Sequence, residues 1–280
     1  MTDMLIQRYL AKTEAHLFVP AWVGPGPTDL FLSMETELYR VSLASSVDEV
    51  REAQQLRFQV FSQEYGAVFH GPEKGFDQDE FDDYCDHIIV RDRNSMRIVG
   101  TYRVLLPEQA RKIGGYYSQR EFSLIRLQRF APDLVELGRS CVHPDHRTGA
   151  VIMLLWKAIA QYMRRHHCRY LVGCASVSMR DGGAQAVSLW QHVQRKAEID
   201  PALQAYPRTR LPLECISPLE RFVEPPLLRA YLSMGAVICS EPSWDPDFNT
   251  ADFLMFLDLA NIHPRYAKHF GLNDLFSSNQ

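Results

Sequence analysis

The sequence predicts a mixed α/β fold, one sheet with helices against it, preceded by a helical arm. Two observations carry this. "LVELGRSCVH", "GAVIMLLWKAIAQYMRRHH" and "YLVGCAS" form a strand–helix–strand unit, whose strands are expected to run parallel. "DHIIVRD" and "RIVGTYRVLL", joined by "RNSM", read as a hairpin.

Taken in order, residues 1–38 read as a peripheral arm, its first helix cut off by the proline- and glycine-rich "VPAWVGPGPTDL". Residues 39–280 read as a single domain with a C-terminal extension. "LYRVSLA" alternates as a strand. In "SSVDEVREAQQLRFQVFSQEYGA", Ser46 and Glu49 have capping-box spacing ahead of an apolar stripe of Val50, Leu56, Val60 and Phe61. Gly66 closes that helix. "GPEKGFDQDEFDDYC" is acidic and irregular, and reads as too polar for a core element. The hairpin follows, then a mixed segment to about Pro132, then the strand–helix–strand unit. A helix from about Gly183 leads into the proline-punctuated "PRTRLPLECISPLERFVEPP", and "PLLRAYLSMGAVICSE" and "TADFLMFLDLA" close as a helix and a last strand pair. No internal repeat or low-complexity tract interrupts this order.

Composition bounds the function. Of 280 residues, 46% are hydrophobic and 23% charged, an ordinary globular balance with ample material for a core. A net charge of -4 argues against a dedicated nucleic-acid binder. No apolar run approaches the roughly 20 residues that span a bilayer, and the N-terminus lacks the basic and apolar regions of a signal peptide. The 6 cysteines are scattered, without a C-x-x-C pair, and read as reduced and structural. A cytoplasmic protein is the expectation.

Within "VELGRSCV", alternation places Val135, Leu137 and Cys141 on one face and Glu136, Gly138 and Ser140 on the other, so Glu136 and Arg139 diverge unless a bulge at Gly138 intervenes. Apolar neighbours suggest a central strand, where charges need partners or a function. Arg103 lies inside "GTYRVLL", Asp86 opens "DHIIV", and Arg57 faces the acidic loop from its helix. If these strands are neighbours, carboxylates and guanidiniums meet on one sheet face, as a structural ion-pair network or as a site for a zwitterion.

The blocks "LRFQVFSQEYGA…FDDYCDHIIV…IVGTYRVLL…YYSQREFSL…ELGRSCVHPDHRTGAVIMLLWKAIAQY…LVGCASV", with the tail from "PPLLRAYLSMGAVICSE" on, resemble the N-acyltransferases of ornithine-lipid biosynthesis. These form a hemolysin-like branch of the GNAT superfamily, and the resemblance covers about residues 40 to 270. It implies a GNAT-like, mixed, mainly antiparallel central sheet flanked by helices. It also implies transfer of a (3-hydroxy)fatty acyl group from acyl carrier protein to the α-amine of ornithine. More distantly the chain resembles the acyl-homoserine-lactone synthases. Their arginine and phenylalanine one helical turn apart match Arg57 and Phe61, their two aspartates three apart match Asp83 and Asp86, their strand arginine matches Arg103, and their Glu-x-x-Arg matches Glu136 and Arg139.

GNAT enzymes that use coenzyme A resemble one another in a loop R/Q-x-x-G-x-G/A that holds the pyrophosphate on backbone N–H groups. Here "RTGAVI" keeps Arg147 and Gly149 but breaks the glycine spacing, which fits phosphopantetheine presented on acyl carrier protein, with no cofactor bound. Glu136 is the expected general base for the amine, directly or through water. A backbone N–H near Ser140 to Val142 would serve the developing oxyanion. Arg103 and Arg139 suit the substrate carboxylate, and Asp83 or Asp86 the ornithine side chain. His87 is an alternative base. The expected catalytic set is therefore Glu136, Arg139 and Ser140, with Arg57, Phe61, Asp83, Asp86, His87 and Arg103 binding substrate. Cys141, Val142, Arg147 and Gly149 are expected to hold the pantetheine.

No Ser-His-Asp or Cys-His set is legible, so direct transfer is expected, and "RRHHCR" reads as a solvated helix end and not a metal site. Arg164, Arg165 and Arg169, with Arg147 and Lys157, form a basic face that either meets an acidic carrier or is merely solvated. Peripheral membrane contact through the N-terminal arm is a further expectation. Alternatives are a synthase of another N-acyl amino acid or signal, and a non-catalytic acyl-sensing module.

Overall fold

The computed structural model describes residues 34–270, apart from 197, together with residue 272. The arm expected over residues 1–38 lies, up to residue 33, outside the described residues. In chain order the elements are β1 (Met34–Glu35), β2 (Tyr39–Leu43), α1 (Val47–Glu64), β3 (Asp86–Asp92), β4 (Ile98–Leu105), α2 (Pro107–Ile113), β5 (Phe122–Ser123), β6 (Leu134–Val142), α3 (Ala150–Arg165) and β7 (Tyr170–Ser178). They continue as α4 (Ala184–Lys196), β8 (Tyr206–Pro207), α5 (Pro226–Met234), β9 (Val237–Ile238), β10 (Ser243–Asp245), β11 (Thr250–Asp258) and α6 (Pro264–Phe270).

Nine strands form one sheet in the order β1-β2-β3-β4-β6-β7-β11-β10, with β9 also on β11. Every pair is antiparallel except β6–β7. This is the mixed, mainly antiparallel sheet that the sequence suggests. The parallel pair follows from its connection, because the α3 crossover carries the chain back to the end of the strands at which β6 begins.

Helices cover both faces. The α1 helix starts where Ser46 accepts a hydrogen bond from the Glu49 N–H (3.2 Å), while the Glu49 carboxylate turns back to Ser45 N (2.8 Å). It packs Val50, Ala53, Leu56, Val60 and Phe61 with Ile89, Ile98 and Cys141 of the sheet. On the opposite face, α3 buries Val151, Leu155, Ile159 and Met163, spaced four apart as a helix stripe must be. They pack with Val135 and Leu137 of β6 in the main core, each such side chain stabilising by roughly 1.5–3 kcal/mol. Among the described residues no helix is long and apolar enough to cross a membrane.

Two local expectations change. "GPEKGFDQDEFDDYC" is not a polar surface loop: Asp77 and Asp82 are buried to 2% and 3% exposure, because arginines meet them. The bulge in β6 is real, but its left-handed residue is Arg139 (φ 52°) and not Gly138. Three steps along β6, Gly138 to Cys141, oppose two along β4, Arg103 to Thr101. Cys141 is thereby turned away from the face of Val135 and Leu137 and joins the α1 side.

Candidate active site

Three guanidiniums and three carboxylates meet beneath α1. Arg57, fully buried, binds Asp77 through Nε (2.9 Å) and Asp82 through Nη2 (3.0 Å). Arg103 binds Asp79 (2.6 Å) and Asp82 (3.2 Å) through Nη1. Arg139 reaches Asp77 (3.1 Å) and Asp79 (3.2 Å). Each acid is shared by two arginines, so the bulge at Arg139 is what brings the third cation into the set. Burial alone would raise the Asp82 carboxyl, but Arg57 and then Arg103 outweigh it and hold it well below the usual range. Gln54 and the Asp79 N–H, each at 3.1 Å, complete its shell.

Beside this network the sheet divides. Pairing between β6 and β7 covers only Leu134–Glu136 against Tyr170–Val172 and then stops. At the apex, a Cβ on Gly173 would stand 2.3 Å from the Leu137 carbonyl oxygen, so only glycine fits there. Beyond it, Leu137–Ser140 on one side and Cys174–Ser176 on the other line a cavity of about 120 Å³. A smaller apolar cavity of about 40 Å³, walled by Trp156, Met234, Met255 and Leu257, shares Tyr102, Leu137, Cys174 and Tyr231 with the first. The opening thus has a polar end towards Arg103, Arg139 and Glu136, and an apolar end towards α3 and α5.

Glu136 sits at the division, 4% exposed. Its Oε2 accepts the Tyr117 N–H (2.6 Å), and its Oε1 accepts the Ser118 N–H (2.7 Å) and hydroxyl. A carboxylate has about four acceptor positions, and these three donors leave one unfilled on a residue that lines the cavity. Burial raises this carboxyl, with the Ser118 and Tyr117 donors opposing the shift. Tyr117 also stacks against Arg139, whose guanidinium lies 4.6 Å from its ring and 4.5 Å from that of Phe248.

Of the residues singled out from sequence, Phe61, Arg103, Glu136, Arg139 and Ser140 line the cavity. Arg57, Cys141 and His87 lie in the layer behind it. His87 is buried, its Nε2 3.2 Å from the Asp82 carbonyl, and burial depresses it from 6.5 to about 4. Asp83 and Asp86 are not brought in. Asp83 is exposed, and Asp86 lies against the Tyr162 hydroxyl of α3. The paired acids three apart that the arginines meet are Asp79 and Asp82, each four positions before its expected counterpart in the pair Asp83 and Asp86.

Arg103 and Arg139 are not open cations either, since both are already salt-bridged. Arg147 binds the Val142 carbonyl (3.0 Å) and Glu64, and Gly149 starts α3 in the left-handed region (φ 89°). On the basic face, Arg169 pairs bidentately with Asp258 (2.7 Å twice), while Arg164 and Lys157 are exposed. Residues that sequence reasoning missed are Tyr117 and Ser118, which hold Glu136 by main-chain groups, and Glu121, Asp245, Thr250 and Asp252 on the cavity wall. Main-chain donors leave no residue-type signal, and the last three stand more than a hundred residues from Glu136.

The fold matches a known class. A family model described as an acetyltransferase (GNAT) domain matches residues 56–157. Within that class, a Brucella abortus (strain 2308) protein named L-ornithine N(alpha)-acyltransferase is 37% identical over 82% of this chain and 88% of its own. One of the same name from Rhodobacter capsulatus is 33% identical over 83% and 94%. The chain belongs to the L-ornithine N(alpha)-acyltransferase family. Among solved structures, the acyl-homoserine-lactone synthase LasI superposes at a TM-score of 0.45, with 12% identity over 79% of this chain and 89% of that one.

Proposed function

We propose that this enzyme N-acylates the α-amine of ornithine, taking a fatty acyl group directly from the phosphopantetheine thioester of acyl carrier protein. One observation carries the reading: the split between β6 and β7 joins a polar chamber holding Glu136 to an apolar one. The acyl chain enters the apolar end with its thioester carbonyl near the apex, and the amine approaches from the polar end. The amine loses its proton to Glu136, directly or through a water on the remaining Oε2 position. The amine nitrogen attacks the carbonyl carbon, main-chain N–H groups on the unpaired edge of β6 support the oxyanion, and the C–S bond breaks with the sulfur leaving as thiolate, which takes up the proton that the new amide nitrogen sheds.

Direct transfer is favoured over an acyl-enzyme. Burial pushes the Cys141 and Cys174 thiols up, away from the nucleophilic thiolate. Among the described residues no histidine is hydrogen-bonded to Ser140, and His87 is committed behind the network. The network of Arg57, Arg103 and Arg139 is read as the scaffold that fixes the β4–β6 side of the chamber, with Arg139 presenting its cavity-facing edge to the substrate carboxylate.

Carrier-protein use is supported by the short-looped start of α3, where Arg147 is tied to Val142 and Glu64. The reading places the protein in the cytoplasm, with its amphiphilic product passed to a membrane surface. The deciding experiment offers one acyl chain on acyl carrier protein and on coenzyme A to a mixture of amino acids, with products read by mass. An N-acyl-ornithine formed faster from the carrier protein supports the reading. Acylation of another amino acid instead of ornithine, or faster use of coenzyme A, sinks the corresponding half.

A further inference from the structure

On the cavity wall opposite the arginine network stand acids that form no ion pair among the described residues. Glu121 follows the 3₁₀ turn Tyr117–Arg120, and Asp252 and Thr250 are two apart on β11, on the same face. Both Glu121 carboxylate oxygens, Asp252 Oδ1 and Thr250 Oγ1 are buried without a hydrogen-bond partner. Asp252 is 4% exposed and Thr250 0%. A buried acceptor left unmet costs about 1–3 kcal/mol, so four in one chamber wall mark a place that a ligand completes.

We propose that Glu121 and Asp252, with the Thr250 hydroxyl, form the subsite that receives the distal ammonium of the amino acid acceptor and so select ornithine over uncharged amino acids. The inference rests on the acyltransfer reading above and adds the residues that read the side chain. An alkylammonium carries three donors on one nitrogen, and the wall offers it two carboxylates and a hydroxyl.

Position fits as well as chemistry. The Cys174 sulfur lies within 4.8 Å of both the Glu121 and the Asp252 carboxylates and 3.8 Å from the Ser118 hydroxyl, which itself binds Glu136. The proton acceptor for the α-amine and the acid pair are therefore linked along one cavity wall through the side chains of Ser118 and Cys174. The site is a poorer metal centre. It holds no histidine, and burial pushes the Cys174 thiol well up, away from the thiolate a metal needs.

Burial, and then the neighbouring Asp252 charge, raise the Glu121 carboxyl well above the usual range. The other groups facing it are Asp245 of β10, Arg139 of β6, Cys174 of β7 and Tyr117. Glu121 therefore favours its protonated form while no ligand cation is present, and an arriving ammonium displaces that proton.

Two measurements test this. The first compares ornithine with norvaline, its analogue of equal chain length without the distal amine, in wild type, Glu121→Gln and Asp252→Asn. The ornithine-to-norvaline ratio of kcat/KM should fall on the order of 10²-fold or more in each variant. A ratio within about threefold of wild type in both variants overturns the proposal. The second, calorimetry on wild type in buffers of different ionisation enthalpy, should show a proton released on binding ornithine and none on binding norvaline. It reads the subsite without turnover, so failure of the acyltransfer reading and failure of this one are distinguishable. Equal proton release with both ligands refutes it, as does tight Zn²⁺ or Mn²⁺ binding lost in Glu121→Gln while amino acid selectivity is kept.

Discussion

Replacing Asp82 by Asn should be among the most damaging isosteric changes in this protein. The Asp82 carboxylate binds Arg57 at 3.0 Å and Arg103 at 3.2 Å, with all three side chains 4% exposed or less. Asparagine keeps the shape but leaves three guanidiniums facing two carboxylates in a buried space. Breaking one partner out of a buried ion pair costs about 3–5 kcal/mol, a large part of a typical stability of about 5–15 kcal/mol. At roughly 2–4 °C per kcal/mol for domains of 150–250 residues, the midpoint should fall by roughly 6–20 °C.

The assay is urea and thermal unfolding of wild type, Asp82→Asn and Asp83→Asn. The exposed Asp83 should cost less than about 0.5 kcal/mol. The network also has an acid signature. The folded Asp82 carboxyl is held below its unfolded value, so its contribution is present above about pH 4 and is lost as pH falls through the folded value. Asp82→Asn should therefore show a shallower acid limb. A cost under about 1 kcal/mol for Asp82→Asn, or an equal cost for Asp83→Asn, would refute the buried-network argument.

Three further outcomes are expected. Glu136→Gln should fold, keeping most of the Tyr117 and Ser118 contacts, while turnover drops roughly 10²-fold or more; a near-normal rate between pH 6 and 9 would remove Glu136 from proton transfer. Gly173→Ala should lower stability by about 1–3 kcal/mol and acyltransfer together, because its methyl would meet the Leu137 carbonyl at 2.3 Å; unchanged melting would show that the apex is not closed. His87 is buried neutral, its folded value depressed from 6.5 to about 4. Stability should accordingly decline as pH falls from about 6.5 towards 4, and His87→Gln should flatten that decline in pH-dependent denaturation.

Much of the fold can be read from the chain because its signals are local. The Ser46 cap, the "RNSM" turn and the stripe of Val151, Leu155 and Ile159 each lie within a few residues, and the structure has α1, the β3–β4 hairpin and α3 where they indicate. The acidic loop misleads because composition reports polarity and not partnership: Asp77, Asp79 and Asp82 are core residues only once Arg57, Arg103 and Arg139 have arrived from three other elements. The bulge is inferable from Glu136 and Arg139 needing one face, but its strained position falls on the arginine, where no propensity points. Glu121 and Asp252 are silent in sequence. Nothing nearby distinguishes them from solvated acids, and only the pairing of β11 with β7, Asp252 opposite Ser176, carries one of them to the chamber.

That pairing has a consequence for the protein's biosynthesis. The strand β11 lies between β7 and β10, yet it is made about eighty residues after its partner β7. A nascent chain that has already formed the β2–β3–β4–β6 half of the sheet and its arginine network still lacks one wall of the chamber. While the last long strand is inside the ribosome, β7 has an open, apolar edge, the kind that recruits the wrong strand. Competence for the reaction and protection from misassembly therefore arrive in one late event, the docking of Thr250–Asp258.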